Sequence, residues 1–212
     1  MGKKIQVAVL FGGKSAEHEV SLQSARNIVD AIDKDKYEVT LIGINKSGQW
    51  FLNEGAKLML PESNEQGLAE VKDLSALVTL MPESKGELMR PSDSSSVGTV
   101  DVVFPILHGP MGEDGTVQGL LKLADVPFVG AGVLGSAVGM DKDVMKRLIR
   151  DAGIPTSDFV VLHRFQEAGA DFDAIQSQLG LPLFVKPANM GSSVGVSKVE
   201  DEASFEAILA RD

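Results

Sequence analysis

The sequence predicts an α/β protein, with an open parallel sheet in its N-terminal part and a smaller α+β domain after it. Two nearly uninterrupted apolar segments, 5–11 and 37–44, are rich in β-branched residues and flank a segment with helical periodicity. Strands that are apolar on both faces are typical of parallel sheets covered by helices on each side. A third apolar segment, 100–104, resumes the pattern later in the chain. We therefore predict a βαβ unit extended by a later strand.

The segment between the first two predicted strands has the apolar periodicity of an α-helix. We expect Ser21 to cap its N-terminus, because a serine hydroxyl can accept a hydrogen bond from the first free backbone N–H groups. The apolar positions recur every three or four residues and define one buried face. They are Leu22, Ala25, Ile28, Val29 and Ile32.

A polar stretch, residues 45–99, interrupts the α/β pattern. It is rich in Gly, Pro and Ser and contains weak short strands such as 49–52. We interpret the serine-rich tract 92–96 as a surface loop. After strand 100–104, spaced apolar residues predict a helix, and 126–129 predicts a short strand. The helix positions are Val117, Leu120, Leu121 and Ala124.

A second domain is expected from about residue 130, so we divide the chain into domains 1–130 and 131–212. Asp141 predicts the start of a helix, and Gly153 followed by Pro155 predicts its end. Its expected inward residues are Val144, Met145, Leu148 and Ile149. The elements that follow are strand 159–162, helix 172–179 ended by Gly180 and Pro182, strands 183–185 and 194–199, and a helix capped by Asp201 with Phe205, Ile208 and Leu209 inward.

The composition excludes several classes of protein. In 212 residues, 20 Lys and Arg against 30 Asp and Glu give a net charge of −10. This balance argues against binding to a nucleic-acid backbone, which needs clustered basic side chains. The absence of cysteine excludes disulfides, thiolate metal ligands and a cysteine nucleophile. No signal peptide or membrane-spanning apolar run is recognisable. We therefore expect a cytoplasmic protein without membrane or nucleic-acid partners.

Three short glycine motifs resemble known functional motifs but lack the context that those motifs need. Residues 13–15 resemble the end of a P-loop, but Ala8 stands where its first glycine is required. Residues 130–135 match G-x-G-x-x-G without the acidic residue that should end a second strand, and we favour close packing of a turn. Residues 191–195 match a nucleophile elbow, but a strand is predicted to follow, and no histidine follows Ser193.

Two loops follow predicted strands at the edge where open parallel sheets bind ligands. In loop 12–20, glycines permit close approach of the backbone, and Glu17 and Glu19 suit a ligand ammonium. A solvated loop whose acidic residues favour a helix N-terminus would also explain it. Loop 108–115 begins with His108, which either binds a ligand carboxylate or is a structural group with internal partners.

A third feature combines lysines with a glycine-serine turn. Lys186 lies in an apolar segment, where its charge needs a partner, and a phosphate is suitable. The turn 191–195 offers backbone N–H groups and hydroxyls that can close over phosphate oxygens. Lys142 supplies a second cation. These residues predict a nucleotide site without a Walker motif, or else two surface lysines and a hairpin turn.

Taken together, segments 11–22, 107–119, 140–142 and 184–197 resemble the D-alanine–D-alanine ligases, a family of ATP-grasp enzymes. The motifs follow the family order and cover essentially the whole chain. The resemblance implies a pre-ATP-grasp, Rossmann-like domain that binds substrate, followed by the small α+β subdomain of a truncated ATP-grasp fold. Their expected extents are the two domains given above.

The resemblance also implies a reaction. ATP, as co-substrate, phosphorylates the carboxylate of one D-alanine, and the amine of a second D-alanine displaces phosphate to form the dipeptide for peptidoglycan. Members of this family use Mg²⁺ or Mn²⁺ and form homodimers in the cytoplasm, so we expect the same here. Positioning and charge stabilisation are the main tasks of such a protein.

Residue roles are carried over from the family by matching position. Glu17 would bind the ammonium of the first D-alanine and orient Ser192, which makes these two residues the expected catalytic pair. His108 would lie beside the substrate carboxylate, with Glu113 supporting its loop. The residues expected to bind ATP are Lys142, Lys186, Gly191, Ser192, Ser193 and Val194.

The family's metal ligands are expected beyond Asp212, so no metal-binding residue is assigned within this chain. We therefore expect the 212-residue chain alone to be inactive. Two alternatives remain open. One is another ATP-grasp ligase with a different nucleophile, such as a D-alanine–D-lactate ligase. The other is a non-catalytic fragment that only packs or binds.

Overall fold

The computed structural model describes residues 2–57, 60 and 77–210 and divides the chain into two compact units, 1–137 and 138–212. The strands of the first unit are β1 (Ile5–Gly12), β2 (Tyr37–Ile44), β3 (Trp50–Leu52), β4 (Thr79–Leu80), β5 (Glu87–Met89), β6 (Ser96–Thr99) and β7 (Val102–Ile106). Its helices are α1 (His18–Ala31), α2 (Glu54–Lys57), α3 (Thr116–Leu123) and α4 (Val133–Met140), which extends across the division. The second unit contains α5 (Lys142–Asp151), a 3₁₀ helix (Arg164–Gly169), α6 (Phe172–Leu179), β8 (Leu183–Val185), β9 (Ser197–Val199) and α7 (Glu202–Leu209).

The first unit is organised around a sheet with the strand order β3-β2-β1-β7. The central strand β1 is parallel to both β2 and β7, and β3 is antiparallel at the edge. The predicted βαβ unit with a later parallel strand is therefore confirmed. The later strand lies at 102–106, two residues beyond the start that the apolar pattern predicted.

Both faces of β1 are buried, because helices cover the sheet on each side. Side chains at odd positions pack in one cluster with α1, and side chains at even positions pack in a second cluster with α3. The first cluster includes Val7, Val9, Phe11, Leu22 and Ala25, and the second includes Ala8, Leu10, Val117 and Leu121. Burial of each large side chain contributes about 1.5–3 kcal/mol, which explains why the strand has no polar face.

The parallel strands end at one edge of the sheet. Gly12 at the end of β1 pairs with Ile44 at the end of β2, and Phe11 pairs with Ile106 at the end of β7. The loops that follow β1 and β7 therefore leave the sheet side by side. Both loops were candidate ligand loops in the sequence.

The prediction that Ser21 caps α1 is wrong. The helix begins at His18, with Glu17 at the capping position and no side-chain cap. Ser21 is fully buried inside the helix, where its hydroxyl accepts a hydrogen bond from Gly12 N–H (2.7 Å) and donates to the Ile106 carbonyl. The Ser21 hydroxyl thus links α1 to the ends of β1 and β7. Neither hydrogen-bond partner can be predicted from the residues next to Ser21.

The polar stretch 45–99 forms irregular structure and a small antiparallel sheet with the order β4-β5-β6. Part of it, residues 58, 59 and 61–76, lies outside the described residues. The tract 92–96 is a largely exposed loop, as predicted, until β6 begins at its last residue. The predicted strand 126–129 is reduced to a single bridge between Val103 and Phe128.

In the second unit, α5 begins and ends as predicted. The Asp141 carboxylate accepts hydrogen bonds from two backbone N–H groups of the first turn, and Gly153 has a φ of +72° just after the end. The expected burial of its apolar face is wrong in part. Met145 and Ile149 are half-buried, but 41% of Val144 and 51% of Leu148 are exposed, because nothing in the described chain covers them.

The remaining elements of the second unit follow local signals where those signals were strong. Helix α6 has its predicted bounds, and Asp201 caps α7 in a reciprocal capping box with Ser204. Strand 159–162 is not formed, because that segment has no strand partner in the described chain. Strand 194–199 shortens to β9, which pairs with β8. The core of the unit contains Phe172, Ile175, Leu183, Val199 and Phe205.

None of the helices in the described part of the chain is both long and apolar enough to cross a bilayer.

Candidate functional site

The loop after β1 turns sharply across the end of β2. Gly12 has a φ of +90° and Gly13 a φ of +99°, and the Gly13 N–H donates a 2.8 Å hydrogen bond to the Ile44 carbonyl. A β-carbon at position 12 would overlap the Ile44 carbonyl oxygen. Glycine is therefore required at position 12 both by conformation and by space.

The His18 side chain binds the backbone of this turn, a role that the sequence analysis did not predict. It is 2% exposed, and its Nδ1 lies 2.6 Å from the Gly13 carbonyl oxygen. Because a carbonyl oxygen only accepts, Nδ1 carries the proton and donates it to this bond. His18 is thus a structural histidine that fixes the path of the loop.

The two acidic residues of the first loop have different surroundings. Glu19 forms a 3.0 Å ion pair with Lys46, and both side chains are largely exposed. Glu17 is half-buried and lies against the second loop, since a β-carbon on Gly109 would be 2.9 Å from Glu17 Oε2. Of the two carboxylates, Glu17 is therefore the one placed at the contact between the loops.

The second loop is held at the peptide group between His108 and Gly109. The carbonyl oxygen of His108 accepts a 2.7 Å hydrogen bond from the Ser15 hydroxyl. The N–H of Gly109 donates a 2.8 Å hydrogen bond to Glu113 Oε2. Both polar groups of this peptide are therefore bound by side chains, one of them Glu113, to which the family resemblance assigns support of this loop.

The His108 side chain is half-buried and has a defined orientation. Its Nε2 lies 3.1 Å from the hydroxyl of Ser24, one residue before the buried Ala25 of α1. This hydrogen bond leaves Nδ1 as the nitrogen for another partner. Ser15 and Ser24 were both missed in the sequence, because each contacts a residue more than 80 positions away.

Further hydrogen bonds stabilise the rest of the second loop. The Asp114 carboxylate accepts from the backbone N–H groups of Met111 (2.8 Å) and Thr116 (3.0 Å). Partial burial raises the pKa of Asp114, but these bonds outweigh it and keep the pKa below its usual value. Gln118, which is 7% exposed, donates 2.8 Å from Nε2 to the Gly112 carbonyl. The loop is therefore well ordered by its own side chains.

A small cavity of about 190 Å³ opens between these loops at the carboxyl edge of the sheet. Its walls are mostly apolar and include Gly13, Trp50, Leu107 and Met111, with Ser15 and His108 among the polar groups. Glu17 is not among the residues that line it. The cavity is smaller than the pockets of ~300–1,000 Å³ that take drug-sized ligands, so it fits only a small molecule.

In the second unit, Lys142 is bound to the segment that precedes the glycine-serine turn. Its ammonium donates to the carbonyls of Pro187 (3.1 Å), Ala188 (3.2 Å) and Met190. The Lys142 backbone N–H also donates to Ala188 O (3.0 Å). In this conformation the ammonium positions the turn, and its predicted contact with phosphate stays a prediction.

Strand β8 has the predicted bounds, and Lys186 is exposed and directly follows it, so the lysine is not buried by the apolar segment that precedes it. A second lysine lies nearby. Burial and then the positive charge of Lys186 lower the pKa of Lys146, and Asp158 partly opposes this shift. The Lys146 ammonium donates to the backbone oxygen (3.0 Å) and hydroxyl (2.8 Å) of Ser157. The positive charges of Lys146 and Lys186 therefore lie close enough to affect each other.

The glycine-serine turn itself is conformationally unusual. Ser192 has a φ of +47° and Ser193 a φ of +61°, which is an uncommon region for residues with a β-carbon. Gly195 has a φ of +72°, and a β-carbon there would lie 2.8 Å from Pro187 Cγ. Such backbone strain costs about 1–3 kcal/mol per residue and is concentrated at functional sites.

The other glycine motifs are resolved by the structure. After turn 191–195 the chain continues to β9 without a helix, so the nucleophile elbow is excluded. Residues 130–132 lead into α4, which begins at Val133, but close packing does not explain the glycines of motif 130–135. A β-carbon on Gly130 or Gly132 would have no neighbouring atom within 4 Å, and Gly130 is required instead by its φ of +121°.

A metal site needs several carboxylate, carbonyl or imidazole ligands close together. Across residues 2–57, 60 and 77–210, no group of three or more His, Asp or Glu side chains could hold a metal ion. The described residues therefore do not fit a Mg²⁺ or Mn²⁺ site.

The structure thus brings Glu17, His108 and Glu113 together in the first unit, and Lys142 together with the segment before residues 191–195 in the second. The predicted contact between Glu17 and Ser192 joins residues of different units and stays a prediction. A parallel α/β unit with candidate ligand loops at its strand ends, followed by a small unit with a lysine bound beside a glycine-serine turn, defines a class of α/β proteins suited to binding small anionic or zwitterionic ligands.

Comparisons with known proteins identify the family. Residues 6–131 match the family model "D-ala D-ala ligase N-terminus", and residues 148–211 match "D-ala D-ala ligase C-terminus". The chain belongs to the D-alanine–D-alanine ligase family. It is 54% identical over 207 residues to D-alanine–D-alanine ligase A of Chromobacterium violaceum, covering 97% of this chain and 56% of the relative. It is 52% identical over 210 residues to the ligase of Shouchella clausii, again covering 56% of that relative and 99% of this chain.

Solved structures give the same result. The D-alanine–D-alanine ligase of Coxiella burnetii has a TM-score of 0.84 at 37% identity, covering 97% of this chain and 59% of that one. The VanG D-Ala:D-Ser ligase of Enterococcus faecalis has a TM-score of 0.80 at 36% identity, covering 98% and 59%. The chain therefore spans little more than half the length of the relatives that it matches.

Proposed function

We propose that this chain contributes the first-substrate site and part of the nucleotide site of a D-alanine–D-alanine ligase. In the reaction, a carboxylate oxygen of the first D-alanine attacks the γ-phosphorus of ATP, and ADP leaves. The amine of a second D-alanine then attacks the acyl carbon, loses a proton and expels phosphate. The dipeptide serves peptidoglycan synthesis.

The observation that carries the first-substrate site is the contact between the Glu17 carboxylate and Gly109, the residue after His108. A zwitterion needs an anionic group for its ammonium and a donor for its carboxylate. Glu17 supplies the first, and His108 Nδ1 supplies the second when protonated there, since Nε2 is engaged by Ser24. A preorganised pair of this kind fixes the orientation of a small amino acid.

The nucleotide site rests on the second unit. Lys186 and Lys142 supply positive charge, and turn 191–195 supplies backbone N–H groups and the hydroxyls of Ser192 and Ser193. Both serines have positive φ values, and contacts with a bound ligand would stabilise this strained backbone conformation. Closure of Gly191–Val194 over the phosphates would exclude water, which otherwise hydrolyses an acyl phosphate.

Ligand-induced stabilisation tests this function against a fragment that only packs. A ligand that binds the native state raises its melting temperature. We expect D-alanine and ATP each to raise the melting temperature of the chain, and we expect L-alanine to raise it less than D-alanine. If neither ligand changes the melting temperature at concentrations up to several millimolar, a non-catalytic role without ligand binding becomes the better explanation.

Turnover by this chain alone is a separate question. We propose that the 212-residue chain does not ligate D-alanine, because the ligases that it matches have a further part without a counterpart in it. ATP-dependent phosphate release in the presence of D-alanine and Mg²⁺ measures this directly. Release above the level without D-alanine would contradict this proposal.

Replacing Glu17 tests its role as the ammonium ligand. We expect Glu17→Gln to weaken D-alanine binding about tenfold, because a charge-assisted hydrogen bond is replaced by a neutral one. Glu19→Gln is the matched control, since it removes the same charge two residues away, from an exposed ion pair in the first turn of α1. Dissociation constants from NMR titration distinguish the two, and equal effects would remove Glu17 from this role.

A second candidate is a ligase that joins D-alanine to a different second substrate. The fold similarity to a D-Ala:D-Ser ligase supports this second candidate. Product analysis with D-alanine, D-serine and D-lactate, in a protein of the family's full length, discriminates between these ligases. We further propose that a ligase of the family's full length is a cytoplasmic homodimer that uses Mg²⁺ or Mn²⁺, as the family resemblance implies.

A further inference from the structure

Ser15 occupies the position where the two ligand loops meet. Its hydroxyl donates a 2.7 Å hydrogen bond to the carbonyl of His108 and accepts a 3.2 Å hydrogen bond from the backbone N–H of Glu17. One side chain therefore contacts the backbones of the two residues proposed to bind opposite ends of the amino acid. Ser15 itself is half-buried.

The contact is tight on both sides. A β-carbon on Gly109 would lie 3.4 Å from Ser15 Cβ and 2.9 Å from Glu17 Oε2, so the backbone of the second loop lies directly against the first. The other polar group of the same peptide is bound to the Glu113 carboxylate. The peptide group after His108 is thus held by one side chain at its carbonyl oxygen and by another at its N–H. The side chain at the carbonyl oxygen is that of Ser15, which lies in the same loop as Glu17.

We propose that Ser15 is a positioning residue that sets the separation between the Glu17 carboxylate and His108. This inference rests on the proposed amino-acid site and adds to it a residue that acts through its neighbours. The hydroxyl of Ser15 both donates a hydrogen bond to a carbonyl and accepts one from an N–H. Only a group that is donor and acceptor at the same time can do this. Alanine removes both bonds, whereas threonine keeps them.

D-alanine affinity in variants of the chain tests the proposal. We expect Ser15→Ala to weaken D-alanine binding about five- to thirtyfold, the effect of losing one to two ordinary hydrogen bonds, and Ser15→Thr to bind within about twofold of wild type. The nucleotide-induced rise in melting temperature should be unchanged. Ser95→Ala is the control, because Ser95 is half-buried and its hydroxyl also makes one donated and one accepted bond, to Asp93 and from Arg90.

A double-mutant cycle separates positioning from a general structural effect. In the Glu17→Gln background, Ser15→Ala should cost much less affinity than it does in wild type, since the group that it positions has been replaced. An equal cost in both backgrounds, or a folded Ser15→Ala protein that binds like wild type, would overturn the inference. If the wild-type chain itself fails to bind D-alanine, the proposed function fails instead, so the two failures are distinguishable.

Discussion

Gly12→Ala should lower the free energy of unfolding by more than about 4 kcal/mol, the range of exceptional substitutions. The new β-carbon would overlap the Ile44 carbonyl oxygen, and both groups are parts of backbones fixed in the central sheet. The φ of +90° adds a conformational penalty for any residue with a β-carbon. The N–H of Gly12 is also bound to buried Ser21, so the backbone cannot shift without breaking this bond.

Urea denaturation followed by circular dichroism measures this effect. Domains have total stabilities of about 5–15 kcal/mol, so we expect a partly or wholly unfolded variant. Gly119→Ala is the matched control. Gly119 lies within α3, where a β-carbon meets nothing within 4 Å, and alanine should stabilise the helix by about 0.5–1 kcal/mol. A Gly12→Ala protein as stable as wild type would show that the turn after β1 is not constrained as described.

Lys186→Met should weaken ATP binding about 10- to 100-fold. The loss of one charge-assisted hydrogen bond to phosphate costs about 1.5–3 kcal/mol, and each 1.4 kcal/mol corresponds to a factor of ten. Lys186 is exposed and directly follows β8. The burial of Lys146 and the positive charge of Lys186 both lower the pKa of Lys146, so the two ammonium groups lie near each other. Methionine preserves the length of the side chain and removes only the ammonium.

Isothermal titration with ATP measures this change. Lys198→Met is the control, because Lys198 lies on β9 opposite Phe184 of β8, is exposed, and pairs with Glu200. Both variants change the net charge equally, so a general loss of electrostatic attraction would weaken binding by similar factors. In that case Lys186 would not be a specific phosphate ligand. D-alanine affinity should be unaffected by either substitution.

Elements with strong local signals were predictable from the sequence. The bounds of α6 follow from an amphipathic segment followed by Gly180, and its N-cap Asp171 accepts a hydrogen bond from Ala174 N–H. Capping and periodicity are properties of neighbouring residues, so they are visible without a tertiary structure. The parallel strands were predictable for a related reason, since burial on both faces leaves a continuous apolar run.

Elements that depend on a distant partner were not predictable in the same way. Segment 159–162 has the composition of a strand but no paired neighbour in the described chain, and 126–129 forms only a single bridge. The apolar face of α5 was predicted inward, although Leu148 is half exposed. A hydrophobic pattern shows which side chains favour burial and does not show whether the described chain supplies a surface to cover them.

The amino-acid sequence by itself determined the α/β class, the order of the main elements and the family, because apolar periodicity and long motifs are properties of residues that follow one another in the chain. Tertiary structure decided how the loops are held. Ser15 reaches His108 across 93 positions, and Ser21 reaches Ile106 across 85. Such hydrogen bonds form only after parallel strands bring their carboxyl ends to one edge of the sheet. The polar groups that position the candidate ligand residues are therefore selected by the fold and leave no local pattern in the sequence.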